Sequence, residues 1–412
     1  MISIVILTIV LLLIAIRQVG NIRLQIWQIM SGGAFVVLIT GQLSLTGAIK
    51  SVNIDIILFL FGMFVVGEAM ERSGYLSYLS YNFFKRAKST NSLLLLIIFG
   101  MGTLSAFLMN DTVAIIGTPV VLMIAKKNAL PPNLLLLALA FAVTIGSVMS
   151  PLGNPQNLVI AINSNVNNIF EIFGKYLFIP TIINLILVFI FLKLFYKNSF
   201  HKENLNHEAD KITNKSLTQL SKYSLGLIFI LVLSKIIFLY LKLPVDFKLT
   251  YIALAAALPI ILFSSERVEI IKKVDWHTLI FFVSMFILMQ SVWNTGIFQN
   301  LISKTDIDIT SILMILIISV FLSQIISNVP LVVLYLPLLL KLGVSSTGLM
   351  ALAAGSTIAG NLFILGAASN IIIIQNAEKK GAETLTFWGF SKVGVPLTII
   401  NVIVYYFYFK IL

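Results

Sequence analysis

Four short clusters of amide, hydroxyl and glycine residues interrupt a chain that is otherwise almost continuously apolar. They read Asn110-Asp111-Thr112; Gly153-Asn154-Pro155-Gln156-Asn157; Ser327-Asn328 ahead of Val329-Pro330; and Gly366-Ala367-Ala368-Ser369-Asn370, with Thr357 and Asn361 upstream. In hydrocarbon such residues have two chemical uses. Carbonyls freed from a helix, together with Asn, Gln, Ser and Thr oxygens, coordinate a small hard cation. N–H groups at the start of a half-helix attract an anion. Taken singly, each residue could equally be glue between helices. Four clusters at matching points of two halves point to a binding site instead.

Acids sharpen this reading. Most of the sixteen Asp and Glu fall in loops or at helix ends, but Glu68 and Asp111 lie well inside apolar stretches. A carboxylate at membrane depth is costly to ionise and is a functional candidate by default. Asp111 is the candidate for the coupling residue, with a helix-capping role as its alternative. A Na+ bound there would use Asn110, Asp111, Gly153 and Asn157. Glu68 corresponds to Gln290 in the second half and reads first as a hydrogen-bond partner between helices, with function as the alternative. Cysteine is absent, which excludes disulfides and thiolate chemistry. His201, His207 and His277 fall in the polar linker or at a helix start, so no histidine metal site is expected inside the membrane. There is no phosphate-binding Gly-x-x-x-x-Gly-Lys-Ser/Thr loop. With one central acid, an intramembrane hydrolase is only a minor alternative. The expectation is a non-enzyme with no cofactor beyond a coupling Na+ or H+.

The elements that must position these residues are membrane helices. The chain has 412 residues, 59% of them hydrophobic and 11% charged, with a mean hydropathy of +1.02. Only a bilayer solvates such a composition. The net charge of +12 is then a topology signal rather than a nucleic-acid surface. Apolar stretches fall at about 2–16, 26–46, 54–71, 92–125, 134–162, 176–196, 223–243, 249–264, 277–296, 309–342, 347–376 and 387–411. The first is read as a membrane helix, not a cleaved signal. Stretches 92–125 and 309–342 are too long for one span and carry polar residues midway, so each predicts a hairpin. Stretches 134–162 and 347–376 predict broken helices.

An internal repeat organises these elements. The 62–76 segment resembles 284–298, and Ser105 to Pro119 resembles Ser323 to Pro337, which pairs Asn110 with Asn328. Gly153 and Asn157 match Gly366 and Asn370, and Pro180 matches Pro396. Each half holds five crossings plus a hairpin, and an odd number of crossings inverts the second half. The expected fold class is an all-α polytopic membrane protein of two inverted repeats. Its parts are 1–196, a cytoplasmic linker at 197–222, and 223–412. Counting Lys and Arg puts the N-terminus outside and the linker inside the cytoplasmic membrane.

With those motifs in hand, the chain resembles the ion transporter superfamily over nearly its whole length. That group includes arsenical pump membrane permeases, the P protein, Na+/H+ antiporters, divalent anion/sodium symporters and citrate transporter-like permeases. Asn110-Asp111-Thr112 with Thr118-Pro119 looks like the hairpin of the arsenite permeases. Gly153-Asn154-Pro155-Gln156-Asn157 looks like the Gly-Asp-Pro-Pro-Asn motif of the P protein group, and Gly366 to Asn370 looks like its Gly-Ala-Ser-Ala-Asn. The symporter branch carries Ser-Asn-Thr at both hairpin tips; this chain does not, which moves the balance away from dicarboxylates. The resemblance implies a scaffold, a mobile transport domain, an elevator-like step and a homodimer. It implies that hairpin tips and broken helices bind substrate and coupling ion. A soluble ATPase subunit is a further partner to test. The expected function is secondary transport of a small anion or oxyanion, arsenite first, with a Na+/H+ antiporter as the alternative. No nucleic-acid partner is expected.

Overall fold

The computed structural model describes residues 2–16, 18–19, 22–164, 169–200, 205, 212–241, 248–296 and 308–412. Sequence expectations about His201 and His207 lie outside the described residues. The fold is all-helical apart from a two-residue antiparallel ladder, Gln18–Val19 against Ile22–Arg23. The first-half helices are α1 (Ile2–Ile16), α2 (Ile26–Ile39), α3 (Leu45–Ser51), α4 (Ile54–Arg72) and α5 (Tyr75–Phe84). They continue as α6 (Thr90–Leu108), α7 (Asn110–Lys127), α8 (Pro132–Ser147), α9 (Pro155–Asn163) and α10 (Ile169–Phe195). The second half holds α11 (Lys215–Tyr240), α12 (Leu249–Phe263), α13 (Arg267–Lys273) and α14 (Trp276–Trp293). It closes with α15 (Ile312–Ile326), α16 (Asn328–Lys341), α17 (Ser346–Ile358), α18 (Ala368–Lys379) and α19 (Phe387–Ile411).

Among the described residues, five helices are long and apolar enough to cross a membrane, or six with α3 and α4 taken as one bent span. The expected spans thus arrive in pieces, and the pieces have local causes. The stretch 26–46 ends as a helix at Ile39. Ser44 then caps α3 by accepting from the Gly47 N–H at 3.1 Å. Asn53 caps α4 by accepting from Ile56 at 3.2 Å, with a 55° bend between the two helices. Asn and Ser caps satisfy the orphan N–H groups of a helix start, so the chain can break here at small cost. The amphipathic α5 lay outside every apolar stretch. Helix α11 begins at Lys215, inside the expected linker, because Asn214 caps it through the Leu217 N–H at 3.0 Å. The linker end is docked: the Thr213 N–H donates to the Ser73 carbonyl at 3.1 Å. The Arg72 guanidinium, with the Asn214 amide, holds the Glu266 carboxyl below its ordinary range.

Packing sorts the helices into two bodies. In one, α4 lies against α12 and α11, and α2 against α14 and α1. In the other, α8 packs on α6, α7 and α10, α17 on α15 and α19, and α7 against α18. The second body therefore gathers both hairpins (α6–α7 and α15–α16) and both broken helices (α8–α9 and α17–α18). One close crossing in it is α6 on α8. A Cβ at Gly146 would overlap the backbone of Gly102, and small residues let membrane helices approach this far. Gly146→Ala is expected to destabilise by about 1–3 kcal/mol through overpacking, lowering the unfolding midpoint in detergent. Gly174→Ala, where a Cβ meets nothing within 4 Å, should leave the midpoint unchanged or raised. Equal effects of the two would refute the close-packed crossing.

Candidate functional site

Both hairpins turn on a single non-glycine residue with positive φ: Met109 (φ 67°, ψ 146°) and Ser327 (φ 71°, ψ 157°). L-residues seldom adopt this region, at a cost of about 1–3 kcal/mol each. The two positions correspond in the sequence repeat. Immediately after each turn a helix starts, α7 at Asn110 and α16 at Asn328. The broken helices behave alike. After α8, 148–154 is irregular and α9 begins at Pro155, capped by Asn154, which accepts from the Asn157 N–H at 2.8 Å. After α17, two 3-10 turns lead to α18 at Ala368.

These four helix starts converge on one cavity of about 360 Å³. Met109, Asn110, Asp111, Pro155 and Gln156 line it from the first half, and Ser327, Asn328, Pro330, Ala367 and Ala368 from the second. Phe59, Phe281, Phe282, Met285 and Phe286 make an apolar wall from the other body. Four sets of first-turn N–H groups and four macrodipole ends raise the potential for an anion there.

A hydrogen-bond network behind the cavity fixes the irregular backbone. The Asn157 amide donates to the carbonyls of Ser147, Val148 and Ser150 at 3.2, 3.2 and 3.0 Å. The Asn370 amide donates to Gly360 at 2.6 Å, ten residues upstream in both cases. The Thr357 hydroxyl accepts from Asn154 (3.1 Å) and Gln156 (3.3 Å) and donates to Asn157 (3.4 Å), tying one broken helix to the other. The Asn110 N–H donates to the Gly153 carbonyl at 2.9 Å, joining hairpin tip to break. A Cβ at Gly153 would overlap the Ser147 carbonyl, so only glycine permits this fold of the chain. Gln324 ties the second hairpin to the second break by donating to the Ala359 carbonyl at 2.8 Å.

The residues singled out from sequence therefore divide. Asn110, Asp111, Gln156, Ser327 and Asn328 line the cavity, and Thr112 lines a small adjoining pocket. Gly153, Asn154, Asn157 and Thr357 stand behind it, and their polar groups hold one another. Gly366 lies between two lining residues, Leu365 and Ala367. Ser369 and Asn370 are buried, and the Ser369 hydroxyl and Asn370 Oδ1 have no hydrogen-bond partner. Asn361 points elsewhere: its amide donates to Asn401 at 3.3 Å, and Asn401 donates to Asn184 at 2.8 Å. That ladder joins the second break to α10 and α19. At the cavity, Asp111 Oδ1 and Asn328 Oδ1 are buried without a partner.

Sequence reasoning missed the far wall. Lys235 is buried, 5% exposed, and lines the cavity from α11. At the rim, Lys248 pairs with Asp55 at 3.0 Å, and Thr250 donates to the Asp55 carbonyl at 3.0 Å. A lysine late in an apolar stretch was the available signal for Lys235; charge counting alone assigned it to a loop side.

A multi-pass helical protein in which two hairpins and two broken helices meet at one cavity is built as secondary transporters are. Residues 9–347 match the sequence model of the citrate transporter family, CitMHS, and the chain belongs to that family. Similar curated proteins include an uncharacterised transporter of Mycobacterium tuberculosis, 26% identical over 367 residues, covering 84% of this chain and 83% of that one. The silicon efflux transporter LSI3 of Oryza sativa subsp. japonica is 25% identical, with 89% of each chain covered. The human P protein is 23% identical over 87% of this chain and 53% of its own. Among solved structures, the YdaH transporter of Alcanivorax borkumensis aligns with a TM-score of 0.48 at 13% identity, covering 99% and 96% of the two chains.

Proposed function

We propose that the chain moves a small anion or oxyanion across the cytoplasmic membrane, coupled to H+, Na+ or membrane potential, with substrate held at the four converging helix starts. The observation that carries this reading is the cavity: N–H-rich helix ends face it from four sides, and one buried acid, Asp111, stands among them. Asp111 is the coupling group, since a carboxyl among helix N-termini can hold a proton or Na+ and release it. Arsenite is the first candidate substrate, and citrate, for which the family is described, is the second to test. A Na+/H+ antiporter remains the second reading, favoured by the buried, unpartnered Asp111 Oδ1 and Asn328 Oδ1. The second body, carrying the hairpins and broken helices, slides against the first in an elevator-like step.

A ligand panel in detergent tests the substrate. A ligand that binds the folded state stabilises it by RT ln(1 + [L]/Kd), about 2.7 kcal/mol at a hundred times Kd. Arsenite, citrate, succinate, sulfate, phosphate, Na+ and Li+ are compared for a shift in unfolding midpoint. An anion shift supports the leading reading; a shift with Na+ or Li+ alone supports the antiporter.

Orientation is read as N-terminus out, from the Lys and Arg distribution. A single Cys at Ser199, in the linker, should be shielded from impermeant thiol reagents in intact cells. A single Cys at Asn53, by the cavity rim, should react. The reverse pattern would refute this orientation.

A further inference from the structure

The cavity is open at one end of α4 and α18 has its start there; a different arrangement closes the other end of the same two helices. Helix α4 enters the cavity rim at Asp55 and reaches Glu68 and Glu71 near its far end, about 24 Å from Asp55 to Glu71 at 1.5 Å per residue. Helix α18 begins at the cavity with Ala368 and ends with Lys379. Where the two far ends meet, Lys379 pairs with Glu68 at 3.8 Å and Lys380 pairs with Glu71. The Lys379 ammonium also donates to the Lys273 carbonyl at the end of α13. Between the paired charges lies a narrow pocket of about 30 Å³, lined also by Phe64, Ile115 and Asp275, and on their outer side Glu71 and Lys380 border a wider hollow along α7.

The bland reading is a solvated charged surface, since exposed ion pairs contribute little to stability. Which bodies the pairs connect argues against it. Among the described residues, Arg72–Glu266, Lys248–Asp55 and Lys272–Glu269 each stay within the first body. Lys379–Glu68 and Lys380–Glu71 are the two that cross from the second body to the first. Glu68 is also only 17% exposed, so its pair is shielded from salt more than a surface pair.

We propose that Lys379 and Lys380 on the hairpin-bearing body, and Glu68 and Glu71 on the other, form a charged latch that holds the cavity closed on the side away from Asp55. This rests on the reading that the two bodies move to give alternating access. Sliding α18 along α4 separates all four charges at once, so the pairs stabilise one access state and not the other. A ligand or substitution shifts a two-state equilibrium only by its differential interaction with the two states, and these pairs supply such a difference. The latch also gives Glu68 a role that its repeat partner Gln290 does not share, because no lysine pair follows α9 in the first half to match Lys379 and Lys380 after α18.

The test uses the absence of native cysteine. Val159→Cys, in the cavity wall, is labelled with an impermeant thiol reagent in right-side-out and inside-out vesicles. The ratio of the two labelling rates reads the access equilibrium. Lys379→Gln with Lys380→Gln should move that ratio about fivefold or more toward the side away from Asp55, the scale of a pair of partly shielded ion pairs. Exchanging charges, Glu71→Lys with Lys380→Glu, should return it toward the native ratio. A ratio unchanged by neutralisation, or one not restored by the exchange, overturns the latch. If Val159→Cys is labelled from one side only in every variant, alternating access itself fails and the latch with it. Two-sided labelling with an unmoved ratio removes the latch alone.

Discussion

Asn157→Ala is expected to abolish transport and to lower stability more than Asn370→Ala, which should also abolish transport. The Asn157 amide occupies three carbonyls that the break leaves behind, at Ser147, Val148 and Ser150. Alanine strands the Ser147 and Val148 carbonyls, at about 1–3 kcal/mol for each buried acceptor left unpaired, while the Ser150 carbonyl keeps the Gly153 N–H. Asn370 has one such bond, to Gly360, and correspondingly less to lose. In both halves the unwound backbone relaxes, and the helix starts that face the cavity lose their aim. Leu158→Ala, one position on, removes only part of an apolar wall and should retain most activity. The checks are uptake in vesicles and unfolding midpoint in detergent. Equal loss of activity in all three variants would reduce Asn157 and Asn370 to ordinary packing residues.

Asp111→Asn is expected to keep expression, fold and ligand binding and to remove the ion dependence of transport. The substitution preserves shape and hydrogen-bonding capacity but cannot titrate. Asp111 Oδ1 is buried at the cavity with no partner, and Val329 stands at the matching position of the other hairpin. If Asp111 carries the coupling proton, native uptake rises as the pH on the substrate side falls, and the Asn variant is flat across the same range. If it carries Na+, the flat response is to Na+ at fixed pH. The alternative, a hairpin cap with no coupling role, leaves transport in the Asn variant with native pH and Na+ dependence.

What could be read from the sequence followed the strength of local signals. The hairpins were legible because 92–125 and 309–342 exceed a bilayer's span and turn polar midway. The breaks were legible from Gly153, Pro155 and Gly366, since glycine and proline in a membrane stretch need a reason. Helix α3 and its bend into α4 were not, because 47–53 falls between two apolar stretches and reads as a loop. Met109 and Ser327 gave no warning of positive φ; glycine would have. Thr357 entered as a ligand candidate, yet its hydroxyl is a junction between Asn154, Gln156 and Asn157, some two hundred residues distant. Asn361 likewise faces Asn401. Pairings across such separations depend on how the halves dock, which no local pattern encodes. The Asp55–Lys248 rim was invisible for the same reason, whereas Lys235 left a signal, a lysine late in an apolar stretch.

The central claim is that this cavity couples the movement of a small anion to an ion gradient. Purified protein in sealed proteoliposomes, given imposed pH, Na+ and electrical gradients one at a time, tests it most directly. Labelled citrate, arsenite, silicate, phosphate and sulfate are the probes. The expected result is accumulation of at least one of them above equilibrium under one gradient, lost in Asn157→Ala, with the gradient's effect lost in Asp111→Asn. Equilibration without accumulation under every gradient, or accumulation undiminished in both variants, would contradict it.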